Sequence, residues 1–170
     1  MDRPLFFLDV GSPWCWLAAE RVNAVVEPVP DWIPIQAREP VGVDRAEVER
    51  RASDAGLPPV RWPDPFPFDS RNATLAATFA KQSGRVVAFS LAAMRQAFAA
   101  GRDLSVVDNV LLAAAACELH PRAVLKGIES RSVSDALAAA EERARAAGVA
   151  ELPALVSAGR VRSGANLLDT

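Results

Sequence analysis

An apolar run, Leu5-Phe6-Phe7-Leu8-Asp9-Val10, stops at Gly11-Ser12-Pro13, and a helix-like stretch from Trp16 to Val26 follows at once. This junction constrains the fold more than any other part of the chain. Pro13 suits the first helical position, because the N–H it lacks would have no acceptor within the helix. Ser12, just before it, is a good N-cap. Leu17, Val22, Val25 and Val26 give the helix an apolar face, and Trp32-Ile33-Pro34-Ile35-Gln36 then reads as a second short strand. Strand, helix and strand in so short a span make a β-α-β unit, which implies parallel pairing and a right-handed crossover.

The residues at the junction also carry chemistry. Ser12-Pro13-Trp14-Cys15 has the spacing of a Cys-x-x-Cys pair with the first cysteine replaced by serine. A complete pair at a strand-to-helix junction is the mark of thioredoxin-like dithiol chemistry. Its first cysteine becomes the nucleophile because the helix N-terminus stabilises a thiolate. With a hydroxyl there, a dithiol/disulfide cycle within the motif is impossible. What remains is a hydrogen-bond donor over a site suited to a sulfur anion. Cys15, flanked by Trp14 and Trp16, reads as a packed structural thiol, and Cys117 lies on the apolar face Leu111 to Cys117. The two are not expected to pair.

The chain has 170 residues, 51% hydrophobic and 24% charged, enough for one sizeable core with an inserted subdomain. Its 19 basic and 21 acidic residues give a net charge of -2 with no basic stripe, which argues against nucleic-acid binding. No window approaches the ~20 apolar residues needed to span a bilayer. The first residues lack the pattern of a secretory signal, and two distant cysteines make no disulfide framework, so a cytoplasmic location is expected. His120 is the only histidine and precedes Pro121 between helices, where a connector role suits it. No zinc ligand set is visible, and no metal is expected.

Beyond the β-α-β unit, 44–55 reads as a polar, charged helix. The segment from Leu57 to Pro67 contains five prolines, which forbid helix or central strand and leave an extended loop. Helical periodicity covers 70–83, 86–101, 105–117 and 121–127, and a last helix covers 132–147. Residues 154–157 and 160–162 read as a β-hairpin turning at Ala158-Gly159. The order implies an α/β fold: a thioredoxin-like core of residues 1–42 and 131–170, with residues 43–130 as an all-helical insertion.

Several segments in this order resemble the DsbA-like family, in its branch of 2-hydroxychromene-2-carboxylate isomerases and kappa-class glutathione transferases. They are Phe7-Leu8-Asp9-Val10-Gly11-Ser12-Pro13-Trp14, Phe66-Pro67-Phe68-Asp69-Ser70, Val87-Ala88-Phe89, Gly101-Arg102-Asp103-Leu104-Ser105 and Leu152-Pro153-Ala154. The resemblance implies that Ser12 hydrogen-bonds the sulfur of glutathione or another low-molecular-weight thiol. It also implies that Pro153 is cis, that the Leu152 backbone pairs with the thiol cofactor like an added strand, and that Ala165 and Asn166 meet its distal end. That last pair is commonly Ser-Asp or Gln-Asp, so the carboxylate expected to meet the glutathione ammonium is missing here. Asp69 and Leu75 stand where the family commonly has Asn and Arg.

A hydrogen bond to a charged group contributes ~1.5–3 kcal/mol and a helix N-terminus ~0.3–1 kcal/mol or somewhat more. Together they would lower a bound thiol by ~1.5–3 pKa units from ~8.5, enough to make it mostly thiolate at neutral pH. Ser12 as a plain N-cap satisfies the same geometry. Trp14, Trp62 and Phe66 are candidates for a pocket taking a small aromatic substrate, although aromatic residues between two subdomains also serve simply to join them. The expected function is therefore a thiol-dependent isomerase or transferase of a small aromatic or electrophilic molecule, with a homodimer open to it. The rival readings are a DsbA-like oxidoreductase lacking its first cysteine and a non-catalytic binding scaffold.

Overall fold

The computed structural model describes residues 2–37 and 42–169. Four strands form one sheet in the order β2-β1-β3-β4, with β1 Leu5–Leu8, β2 Asp31–Pro34, β3 Ala154–Ser157 and β4 Arg160–Ser163. Strand β1 pairs in parallel with β2, and helix α1, Pro13–Val25, makes the crossover. Strand β3 runs antiparallel to β1 and forms a hairpin with β4. The β-α-β unit and the closing hairpin are those expected, with β1 and the end of β2 shorter and β4 one residue longer. Val10 leaves the ladder because the chain turns, the Asp9 carbonyl accepting the Ser12 N–H at 3.0 Å.

Alternation along β1 sends its side chains to two cores. Phe6 and Leu8 join Trp32 and Leu155 on one face, which α1 covers with Cys15, Trp16, Ala19 and Val22. Phe7 joins Ile33, Ile35 and Ala154 on the other, where Ala144 of α7, Arg131–Ala146, packs. The remaining helices are α2 Arg45–Asp54, α3 Arg71–Gln82, α4 Val86–Phe98, α5 Val107–Ala116 and α6 Pro121–Glu129. The first-face core continues without a break into this block, through Ala76 and Ala80 of α3, Met94 and Phe98 of α4, Val110 of α5 and Val124 of α6. Each fully buried Phe or Met here contributes about 1.5–3 kcal/mol through apolar burial. The helical segment thus shares one core with the sheet.

Helix α4 ends three residues before the expected 101. The Ala99 and Ala100 N–H groups both return to the Arg95 carbonyl, and Gly101 then takes φ 69°. The proline-rich segment forms neither helix nor strand, as expected, but bends over 64–67 instead of staying extended, and the Arg61 N–H ties it to the last carbonyl of α4 at 2.8 Å. The peptide bonds before Pro65, Pro67 and Pro153 are cis, and so is that before Pro28. His120 caps α6, its Nδ1 accepting the Arg122 N–H. Cys117 is buried with its thiol on the Ala113 carbonyl, and both cysteines are free. Among the described residues no helix is long and apolar enough to cross a membrane.

Candidate functional site

The start of α1 opens onto a cleft of about 1150 Å³. Asp9, Gly11, Ser12, Pro13 and Trp14 form its floor, Ile35 to Ala37 and Phe66 to Arg71 two of its walls, and α7 with Val149 to Leu152 the third. Ser12 has extended backbone angles and caps the helix, its Oγ accepting the Cys15 N–H at 3.3 Å. That use of a lone pair leaves the hydroxyl hydrogen available for an acceptor in the cleft. The Trp14 N–H, with no carbonyl a turn behind it, has no backbone acceptor among the described residues. No acidic residue sits in the first turn of α1. Hydroxyl, free N–H and helix N-terminus together suit an anion.

Cys15 is fully buried beneath this point, and its Sγ accepts the Asp9 N–H at 3.4 Å. Burial pushes its thiol up to about 12; the contacts with the Asp9 N–H and the Ser12 side chain act the other way without offsetting it. Cys15 is therefore no nucleophile at neutral pH.

Leu152 lines the same cleft as Ser12. Phe7 pairs with Ala154, and continuing that antiparallel register sets Pro153 opposite Leu8, beside the turn that leads to Ser12. The structure thus brings Ser12, Trp14, Phe66 and Leu152 to one cleft, with Pro153 buried behind it. Trp62 is not among the lining residues. Its ring packs on Phe66 and Phe98, its Nε1–H donates to Glu49, and the Arg45 guanidinium lies 5.0 Å from the ring centroid. It joins α2 to α4, the joining role left open for this loop.

Ala165 and Asn166 also lie outside the cleft lining. Arg51 donates to the Ala165 carbonyl at 3.0 Å and to the Asn166 Oδ1 at 2.6 Å, while its guanidinium sits 5.7 Å from the Trp14 ring centroid. Glu47 and Asp169 accept from it as well. Ala165 borders a second hollow of about 450 Å³ between α1, α2 and the C-terminal segment. Arg51 was not a sequence candidate, since nothing local marks an arginine on a charged helix as a partner for residues more than a hundred positions away.

Asp9 was also overlooked as a site residue. It is only 5% exposed, yet it lines the cleft. Burial raises its carboxyl above the ordinary value; the Ala37 and Gly11 N–H groups and Ser70 pull down, and nearby Asp69 pushes up. A carboxyl raised on folding binds its proton more tightly in the native state, so its contribution to stability falls as pH rises from ~3.9 through the raised value. Measured by thermal unfolding, wild-type protein should lose stability relative to Asp9→Asn as pH rises from ~3.9 through that raised value. A gain relative to Asp9→Asn over that interval would contradict the assignment.

The model of the DSBA-like thioredoxin domain family matches residues 5–170. The chain belongs to that family. Among solved structures, this DSBA-like chain is similar to 2-hydroxychromene-2-carboxylate isomerase, with a TM-score of 0.85 at 14% identity over 98% of this chain and 91% of that one. It is also similar to the cytosolic disulfide reductase DsbM from Pseudomonas aeruginosa, solved with GSH, at a TM-score of 0.71 and 18% identity over 95% and 88%. A probable DsbA oxidoreductase from Streptomyces coelicolor gives 0.71 and 17% over 96% and 83%. At these identities the likeness establishes the shared fold. No curated protein matches the sequence closely enough to count as a relative.

Proposed function

We propose that this DSBA-like protein is a thiol-dependent isomerase or transferase acting on a small aromatic or electrophilic molecule. The observation that carries the reading is the division of roles at the start of α1. A hydroxyl occupies the open position, and the one nearby thiol is buried with its pKa raised to about 12. An oxidoreductase needs a thiolate where Ser12 stands, whereas a protein that borrows its thiol needs only donors there. The likeness to 2-hydroxychromene-2-carboxylate isomerase supports this reading, while the likeness to a disulfide reductase solved with GSH supports only a site that takes a small thiol.

The residues present fit a sulfur anion better than they fit the whole of glutathione. A thiol bound here supplies a nucleophile that adds reversibly to an electrophilic substrate. Ser12 donates its hydroxyl to the sulfur, the Trp14 N–H adds a second donor, and the Leu152 backbone pairs with the extended part of the molecule. Phe66 and Phe68 wall the space in which an aromatic substrate lies. At the distal end, Asn166 offers an ammonium no counter-charge and its Oδ1 is engaged by Arg51, which favours a thiol other than glutathione. The same engagement favours a non-catalytic scaffold as the competing reading.

Calorimetric titration with glutathione, N-acetylcysteine and other small thiols tests the proposal. At least one thiol should bind at millimolar concentration or below. Ser12→Ala should weaken it roughly tenfold or more, the equivalent of ~1.5–3 kcal/mol for a hydrogen bond to a charged group. If no thiol binds at millimolar concentration, or Ser12→Ala leaves binding unchanged, the scaffold reading takes its place.

A further inference from the structure

Asp9 makes more contacts around Ser12 than a turn requires. Its backbone carbonyl accepts the Ser12 N–H, and its backbone N–H donates to the Cys15 Sγ. Its Oδ1 accepts the Gly11 N–H at 2.8 Å, closing the turn that delivers Ser12 to the helix. Its Oδ2 accepts the Ala37 N–H at 2.8 Å, across the floor of the cleft from β1 to the segment leaving β2. A second, independent feature lies at the same spot. A Cβ on Gly11 would stand 2.8 Å from the Ser70 Cβ and 3.2 Å from the Asp9 Oδ1. Only a residue without a side chain lets the turn press this closely on the start of α3.

We propose that Asp9 is a positioning residue: its buried carboxyl clamps the turn at Gly11 to the Ala37 segment and so fixes the Ser12 side chain at the N-terminus of α1. Four segments meet here: the end of β1, the start of α1, the exit of β2 and the cap of α3. A serine on a loosely held turn could cap the helix without facing the cleft. With Asp9 in place, the turn has no freedom to trade one role for the other. The assignment rests on Ser12 being the group that holds a sulfur anion, but it can be tested without any cofactor.

The probe is the thiol introduced by Ser12→Cys, whose titration is read from ultraviolet thiolate absorbance. Burial raises both Cys15 and Cys117, so neither interferes near neutral pH. At a well-held helix N-terminus the introduced thiol should titrate within ~3.5–7.5. Adding Asp9→Ala should raise it by about one unit or more toward ~8.5, as the turn releases its hold. Asp9→Asn should fall between, since an amide oxygen can serve one of the two N–H groups but its NH₂ opposes the other. Gly11→Ala, which disturbs the clamp without touching any charge, should raise it as well.

The sign is diagnostic. Titratable groups bearing on this point are Asp9 itself, Asp69 and Cys15, and Arg71, Glu141, Arg145 and Glu151 line the same cleft and stay unchanged in every variant. Removing a carboxylate charge beside a thiolate would lower the thiol pKa, opposite to the effect of a lost clamp. An unchanged or lowered value in Asp9→Asn, with the protein folded, overturns the proposal. If the Ser12→Cys thiol alone titrates near ~8.5, it is the thiol-holding reading that fails instead.

Discussion

Replacing Ser12 by cysteine is expected to give this chain an insulin-reducing activity that the wild type lacks, with dithiothreitol supplying the electrons. The wild-type protein has one cysteine at the motif, fully buried, with its thiol pushed up to about 12. Very little of it would be thiolate at pH 7, too little to attack a disulfide at a useful rate. Ser12→Cys places a thiol where the cap, the free Trp14 N–H and the helix N-terminus act together. It should be mostly thiolate at neutral pH, against a few per cent for an unperturbed thiol, a rise of roughly twentyfold in thiolate on that ground alone. Cys15 then sits behind it as the resolving partner. Robust reduction of insulin by the wild type would mean that Cys15 is the exposed nucleophile after all. An inactive Ser12→Cys variant that folds would mean that the site does not stabilise a sulfur anion, and the thiol-dependent reading would fall with it.

The junction that carries this chemistry is also where the sequence was most legible. Ser12 and Pro13 are local signals: a cap and a first helical residue act through their own backbone, so both could be read from three adjacent letters. The hairpin at Ala158-Gly159 is local in the same sense, with φ 49° and 73° at its two turn residues. Elements defined by long-range partners were less visible. Trp62 looked like a pocket residue because aromatic loops at boundaries so often are, but its ring meets Phe98 edge to face and carries the Arg45 guanidinium over it. Asn166 looked available until Arg51 reached it across the fold. Asp9 carried a signal that could have been weighed: a carboxylate within an apolar strand run is buried at a cost, and a buried carboxylate must be hydrogen-bonded. Which N–H groups would satisfy it depends on how β1 meets the exit of β2, and no local pattern encodes that.

Trp16→Ala should cause the largest loss of stability in the chain, about 3–5 kcal/mol of a total that for domains of this kind is about 5–15 kcal/mol. Trp16 follows the motif directly, is 0% exposed and stacks on Phe98 with centroids 5.9 Å apart. Its Nε1–H donates to Glu20, which in turn pairs with Arg95 at 2.7 Å. Trp16 thus fastens α1 to α4 by packing and holds Glu20 for the ion pair that bridges the same two helices. Thermal unfolding should move down by roughly 6–20 °C, at ~2–4 °C per kcal/mol for a chain of this size. The effect should reach the site as well. Phe98 also meets Phe66 at 5.9 Å, and Phe66 walls the cleft, so a void beneath Phe98 lets that wall settle inward. A conservative Trp16→Phe change keeps most of the ring contact and loses the bond to Glu20, and should cost well under half as much. If Trp16→Ala lost less than ~1 kcal/mol, the surrounding side chains would have to collapse into the space, which a well-packed core resists. The helix that presents Ser12 would then be held by the sheet alone, and the α4 face would contribute nothing to the geometry of the site.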